Sequence, residues 1–422
     1  MKKPKGRSAT RDLSGLRAGR ERLRHLRALP EIRAAGRRAH AAGTETWIVG
    51  GAVRDALLGR PVPDVDLVVA GNAEVLARAL EQSGFGRCVP LSKESPRVFR
   101  VAGKRDLDLA ELERGSIERD LGRRDFTANA MAVTLSTGEL LDPYGGLIDL
   151  LRGKLRLVSE ANLADDPLRA LRAARFLATH GLSPDAATLS ASRRVASRLT
   201  EAAAERIQAE LAKLLAAPRV VPALTWAGRA GLLGPALGHA PSPRALPVLD
   251  APSVLRRGPE ERLRLRLSLL ADRFGFSPPQ AARWLASRRW SGELSGQIAR
   301  LLDLAAQAGE ARVPDEQWRW VRDAGPLWKE ALVLFVLLEP SRRVQARRLA
   351  GRAGRARRSL RIRGAEVLSW TGRGPGPEVG QLLREIEVET LRGRVRTRRE
   401  ARKWLKQRTA QLSRPGAGGR GL

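Results

Sequence analysis

Cysteine and histidine are nearly absent from the 422 residues. A single cysteine, Cys88, excludes an intrachain disulfide framework and a Cys-based zinc site. Four scattered histidines, His25, His40, His180 and His239, exclude a His-rich metal centre. No apolar run reaches the ~18 residues that a membrane-spanning helix needs. The basic N-terminus lacks the apolar core of a signal peptide, so the expected compartment is the cytoplasm. Acids are also short: 45 Asp and Glu face 77 Lys and Arg, a net charge of +32. Coding bias can favour Arg over Lys, but it does not remove acids, so the charge points to a nucleic-acid partner. Against these absences stands an ordinary hydrophobic content of 43%, enough for two or more domains with their own cores.

Residues 1–40 carry 13 Lys and Arg against Asp12, Glu21 and Glu31. This basic extension reads equally well as an RNA-touching arm and as a solvated tail, with a mobile first part. Beyond Leu23 a helical pattern through Leu26, Leu29 and Ile32 leads into the first strand. Strand-like segments at 47–49, 65–69, 98–101, 107–109, 130–135 and 155–157, with helical pieces such as 73–83, make 41–158 an α+β domain. From Asp165 onward apolar residues recur at helical spacing, as in 167–180, 201–215, 260–272 and 326–338. Eight of the nine tryptophans, all but Trp47, lie in this half and read as helix-packing core. The Gly-rich end, 411–422, is expected to be disordered.

The densest chemistry begins at Gly50-Gly51-Ala52-Val53-Arg54-Asp55. The apolar Trp47-Ile48-Val49 runs as a buried strand into the Gly-Gly turn, where the absent Cβ atoms let a ligand approach the backbone. A helix over 52–58 sets free N–H groups beside the turn, with Arg54 as a second positive contact for a triphosphate. Asp64 and Asp66 stand two apart on the next strand and so share a face, an arrangement suited to holding Mg²⁺ for phosphoryl or nucleotidyl transfer. Alone, a Gly-Gly is a turn and an Asp-x-Asp a solvated loop; their order and spacing carry the reading.

Three further groups follow. Asp106 and Asp108 share a strand face, and spacing allows either to be a third carboxylate or both to be solvated edge positions. Arg123 and Arg124, adjacent and just before an apolar strand, can fork onto phosphates or pair with Asp120 or Asp125. Asp165-Asp166-Pro167 opens a helix with Asp165 or Asp166 as N-cap and Pro167 early. Asp166, Arg169 and Arg172 then recur every three residues. An acceptor and forked donors on one helix can read a base edge, while a capping Asp with solvated arginines explains the same pattern.

Taken in order, these residues resemble the class II tRNA nucleotidyltransferase (CCA-adding enzyme) and bacterial poly(A) polymerase family. The resemblance rests on 50–55 with Leu58-Gly59-Arg60, Asp64-Val65-Asp66, 123–130, Asp142-Pro143-Tyr144-Gly145-Gly146 with Asp149-Leu150, 165–176, and Glu205-Arg206-Ile207 with Glu210-Leu211. A further match over 364–380, with Gly393-Arg394 and Trp404-Leu405, is similar to the tail of tRNA-specific members.

The resemblance implies an α+β nucleotidyltransferase head of mixed sheet and helices over 41–158, followed by an all-α remainder. That remainder would be a helical neck carrying the nucleotide-reading helix (159–218), a body (219–355) and an RNA-binding tail (356–410). It implies two Mg²⁺ ions on Asp64 and Asp66, with Asp108 rather than Asp106 as third catalytic carboxylate. Gly50, Gly51 and Arg54 would take the triphosphate, and Arg123 and Arg124 the nucleotide. Asp166 and Arg169 would read the base of CTP or ATP, supported by Arg172 and Arg175. The implied activity adds CCA, or the CC or A part of it, to tRNA 3′ ends without a template. The rivals are a poly(A) polymerase and a non-catalytic RNA-binding protein on the same scaffold. Two departures stand out. Asp165-Asp166 replaces the usual Glu-Asp, and only 12 residues separate Ala110 from Arg123, where full CCA-adding members carry a longer loop; the short connection resembles the CC-adding branch. The C-terminal half shows no His-Asp phosphohydrolase signature.

Overall fold

Short β-branched and apolar runs build a sheet around the candidate site. The structure is a computed structural model that describes residues 9–92, 94, 96–113, 115–356 and 362–412. The chain divides into two compact units, Met1–Leu246 and Pro247–Leu422.

The first unit holds a seven-stranded sheet: β1 (Thr46–Val49), β2 (Asp64–Val69), β3 (Arg87–Ser92), β4 (Val98–Ala102), β5 (Asp106–Glu111), β6 (Ala132–Thr134) and β7 (Leu140–Leu141). They lie in the order β3-β4-β5-β2-β1-β6-β7. β2 and β5 run parallel, while the other neighbours in this sheet are antiparallel. Strand alternation then sorts the side chains. Val65, Leu67, Leu107 and Leu109 are fully buried on one face, where the helix Ala73–Gln82 packs through Leu76, Ala77 and Leu80. Each such side chain contributes roughly 1.5–3 kcal/mol by leaving water. On the opposite face Trp47, Val49 and Val68 form a second cluster with Ile117 and Leu121, next to the carboxylates of β2.

The strand expected at 155–157 shrinks to Lys154–Leu155, paired with Ser183–Pro184. β3 had no alternation to mark it and contains Pro90. It is the end strand of the sheet order, where a missing N–H costs no ladder bond, and its register shifts between Pro90 and Ser92.

The basic extension is structured from Ala9: helices Ala9–Arg27 and Pro30–Ala41 bury Leu23, Leu26, Ile32 and Ala35. Arg22 Nη1 donates to the Leu57 carbonyl at 2.8 Å and Arg27 Nη2 to that of Leu135 at 2.7 Å. A purely solvated tail is therefore wrong for this stretch, because its apolar stripe covers the head. Residues 1–8 lie outside the described residues. Helix Leu168–His180 buries Leu168, Leu171, Ala174 and Phe176 and packs against helices Ala204–Ala216 and Val221–Arg229.

The described part of the second unit is helical. Helices Pro259–Arg273, Pro278–Ser287, Gly292–Glu310 and Trp328–Leu338 pack together. Trp284, Trp290, Trp318 and Trp320 are buried as core. Val367, Leu382, Ile386 and Leu405 form a separate cluster with Trp370 and Trp404 packed on it. The segment expected to be disordered, 411–422, lies outside the described residues except for Gln411 and Leu412, which end the helix Arg398–Leu412. Among the described residues no helix is long and apolar enough to cross a membrane.

Candidate active site

The Gly-Gly turn depends on its glycines for two different reasons. Gly50 has φ +69° and ψ −124°, a conformation that side-chain-bearing residues rarely adopt. A Cβ there would also overlap the Arg124 guanidinium. Arg124 is held over the turn by Asp120, whose Oδ2 accepts from Nε at 3.3 Å and Nη2 at 3.0 Å. Gly51 begins the helix Gly51–Leu57, only seven residues long, so the arginines rather than a long helix dipole carry the positive charge here. Arg54 is buried; its Nε and Nη2 donate to Asp55 at 2.9 and 2.8 Å and its Nη1 to Asn129 Oδ1 at 2.6 Å.

The parallel register sets Asp64 opposite Asp106 and Asp66 opposite Asp108, so all four carboxylates share one face. Burial raises the Asp66 pKa, and the neighbouring charges of Asp108 and Asp64 push the same way against Arg124. Asp108 is engaged at both oxygens by Arg100 of β4, at 2.7 Å each. Asp106 accepts from the Gly103 N–H at 3.4 Å and sits 3.8 Å from Arg100 Nη1. Asp108 is thus the candidate beside Asp66, although Arg100 occupies it.

These donors suit Mg²⁺, which takes oxygen ligands and commonly one or two carboxylates completed by substrate phosphates and water. Among the described residues no three His, Cys, Asp or Glu side chains converge to hold an ion by themselves. Asp64 and Asp66 therefore fit as a pair that needs a triphosphate to complete the shell.

A cavity of about 630 Å³ opens on this face, lined by Gly51, Arg54, Asp64, Asp66, Arg123, Arg124, Arg169, Arg172 and Arg175 among others. Gly50, Asp108 and Asp166 are not in its lining. Arg123 pairs with Glu113 and lies 3.6 Å from Asp120. Arg172 lies 3.0 Å from Asp125, and Arg175 donates to Glu210 at 2.5 Å. Burial lowers the Arg175 pKa, with Glu210 opposing it.

Asp166 is not the N-cap that the sequence suggested. Pro167 takes that place in the αR region, and Asp166 is extended at φ −139°. Its Oδ1 still accepts from the Leu168 N–H at 3.3 Å, and its Oδ2 accepts from Arg206 Nη2 at 2.8 Å. Arg169 Nη1 donates to the Asn162 carbonyl at 3.0 Å. Sequence reasoning gave no site role to Asp55, Arg100, Asn129, His180 or Glu210. Asp125 and Asn129 carried a faint signal, being four apart in one short segment, and Glu210 lay in a matched stretch without a role; Arg100 and His180 carried none.

Residues 46–156 match the family model "Poly A polymerase head domain", and 181–237 match "Probable RNA and SrmB- binding site of polymerase A". The chain is 33% identical over 409 residues to the CC-adding tRNA nucleotidyltransferase of Geobacter sulfurreducens, covering 88% of this chain and 94% of that one. It is 43% identical over 198 residues to the enzyme so named in Synechocystis, covering 46% of this chain and 48% of that one. A solved Bacillus stearothermophilus CCA-adding enzyme in complex with CTP is 25% identical with a TM-score of 0.67, covering 91% of this chain and 98% of that one. The Thermotoga maritima CCA-adding enzyme complexed with tRNA(CCA), 23% identical over 93% of this chain and 98% of that one, shares the fold at a TM-score of 0.70. Fold and site together define a nucleotidyltransferase, an enzyme acting on nucleoside triphosphates. The chain belongs to the class II CCA-adding tRNA nucleotidyltransferase family.

Proposed function

We propose that this enzyme adds two cytidylates to tRNA 3′ ends from CTP, by Mg²⁺-dependent transfer without a nucleic-acid template. The observation that carries the CC specificity is the end-to-end similarity to a CC-adding enzyme. The short connection supports it: β5 ends at Glu111 and the next helix begins at Ile117, too close for a long loop.

In this reading the RNA 3′-oxygen forms a bond to the α-phosphorus of CTP while the bond to pyrophosphate breaks. Mg²⁺ held by Asp64 and Asp66 would supply charge neutralisation and a more acidic 3′-hydroxyl. Arg54 and Arg124 hold the triphosphate and offset the charge that grows on the departing pyrophosphate. Asp108 serves as the third carboxylate on the same sheet face. Asp166 accepts from the cytosine amino group and Arg169 donates to the ring acceptors, with the Asp166 carboxylate aimed by Arg206 and the Leu168 N–H. Arg123, Arg172 and Arg175 line the rest of the nucleotide site. The helices of 159–218, 219–355 and 356–410 act as neck, body and tail, and the net charge of +32 suits them to a tRNA backbone.

The test uses tRNA ending in C and tRNA ending in CC, each with CTP alone or ATP alone. The C-ended tRNA gains one cytidylate and the CC-ended tRNA gains nothing. Addition of A to the CC-ended tRNA would replace the CC reading with full CCA addition.

A further inference from the structure

Helix Leu168–His180 makes two polar contacts beside the Gly-Gly turn, one to the segment 123–130 and one to the helix Gly51–Leu57. In its middle, Arg172 Nη2 lies 3.0 Å from Asp125 Oδ2. At its last residue, His180 Nε2 lies 3.1 Å from Asp55 Oδ1. An unbroken chain of polar contacts joins the two points. Asn129 Nδ2 donates to Asp125 Oδ1 at 2.8 Å, Arg54 Nη1 donates to Asn129 Oδ1 at 2.6 Å, and Arg54 Nε and Nη2 donate to Asp55 at 2.9 and 2.8 Å. The circuit therefore starts and ends on one helix. Phe176, between the two ends, fills it: the Arg54 and Arg175 guanidinium carbons lie 5.0 and 4.2 Å from its ring centre, and the His180 ring lies 5.2 Å away.

Three of the five Arg54 N–H groups are engaged in this circuit, which leaves one on each terminal nitrogen for an anion. Arg54 and Asp55 are sequence neighbours, and a pair of adjacent side chains can swing together unless something outside anchors it. Asn129 anchors the Arg54 end, and the His180 imidazole, with only 7% of its side chain exposed, anchors the Asp55 end. Burial keeps its pKa below the ordinary value; since the Asp55 carboxylate only accepts, Nε2 carries the proton donated to it, while Nδ1 lies 2.7 Å from the Thr179 oxygen, which also bonds to the Arg175 carbonyl at 2.7 Å.

We propose that His180 is a positioning residue for the nucleotide: by anchoring Asp55 it locks Arg54 to the helix that carries Arg169 and Arg172, so that base contacts and triphosphate contacts are set by one rigid body. The inference rests on reading the cavity as the nucleotide site. Its consequence is specific, because His180 then acts only on ligands with a triphosphate and only through Arg54.

The experiment measures equilibrium binding of CTP and of CMP to the full-length protein and to H180L, H180F, H180Q, R54A and R54A/H180L, with a thermal melt of each. Leu keeps the buried apolar contact and Phe keeps the ring stack, so either variant that retains a wild-type melting transition carries the comparison. Loss of one hydrogen-bonded anchor predicts a CTP affinity about fivefold weaker, with CMP affinity unchanged. In H180Q the amide N–H takes the place of Nε2–H and most of the loss is recovered. In the R54A background, adding H180L costs nothing further. Equal weakening of CTP and CMP, or a full H180L loss on top of R54A, would reduce His180 to a general packing role and overturn the proposal. Wild-type CTP affinity in H180L alongside a weakened R54A would overturn it while sparing the site assignment. Unchanged CTP affinity in R54A would overturn the site assignment itself.

Discussion

Replacing Gly50 by Ala is the sharpest perturbation of the turn. Two costs add. At φ +69° and ψ −124° any Cβ brings backbone strain of about 1–3 kcal/mol. The new methyl also overlaps the Arg124 guanidinium, which can escape only by loosening its contacts with Asp120 at 3.0 and 3.3 Å. That pair is partly exposed, with side chains 23% and 21% accessible, so its loss adds about 1 kcal/mol. A total of about 3 kcal/mol corresponds to a Tm lower by roughly 6–12 °C for a unit of this size. The displaced guanidinium should also cut CTP incorporation about 100-fold, since small misplacements of charged groups at a reacting centre are costly. Gly43 supplies the control: its φ is +63°, but a Cβ there meets nothing within 4 Å. G43A should therefore lose about 1 kcal/mol of stability and none of the incorporation. Calorimetry and initial rates with tRNA ending at the discriminator base read both variants. If G50A behaves like G43A in both assays, the coupling of the turn to Arg124 is wrong.

Asp64→Ala or Asp66→Ala should abolish nucleotide incorporation while tRNA affinity, read by filter binding, stays near wild type; a variant that still extends tRNA would remove that carboxylate from the metal site. Arg169→Ala should blur the choice among CTP, ATP, UTP and GTP in competition assays if, as proposed, its donors read the base; unchanged selectivity would count against base reading by this helix. Acid should weaken the head in two stages. His180 and Asp55 both have folded pKa values below their ordinary ones, so in each case the unfolded chain takes the proton first as pH falls. His180 acts below its ordinary 6.5. Asp55 is raised by burial but brought down further by the hydrogen bonds of His180 and Arg54, to about 2 from 3.8, and about 2 kcal/mol is lost between those values. Urea melts at stepped pH should show the low-pH loss in wild type and a smaller one in D55N; equal losses would contradict the assignment.

Much of the site could be read in the sequence because its signals are local. The Gly-Gly turn, the alternation that sets Asp64 and Asp66 on one face, and the helix carrying Arg169, Arg172 and Arg175 each lie within a dozen residues. The α+β head followed by helices was legible for the same reason, since strand and helix periods differ and the switch near Asp165 is abrupt. What escaped was set by pairing across the chain. The parallel register that brings Asp108 beside Asp66 joins strands some 40 residues apart, and spacing alone left Asp106 equally eligible. Arg100 blocking Asp108, Glu210 holding Arg175 and His180 anchoring Asp55 depend on tertiary packing that periodicity does not encode. β3 escaped because it is an end strand with Pro90 in it; in the basic extension the helical pattern beyond Leu23 was legible, while the helix's start at Ala9 lay among arginines that hid it. The N-cap expected at Asp165 or Asp166 failed because Asp165 ends the preceding helix and Pro167 itself fits the αR conformation that opens this one.

The most direct measurement gives the enzyme tRNA ending at the discriminator base, with CTP, ATP and Mg²⁺ supplied together, and reads product length and composition at single-nucleotide resolution. The account predicts a stop after two nucleotides, both cytidylates. A third nucleotide, a long tail of adenylates, or no extension at all would contradict it.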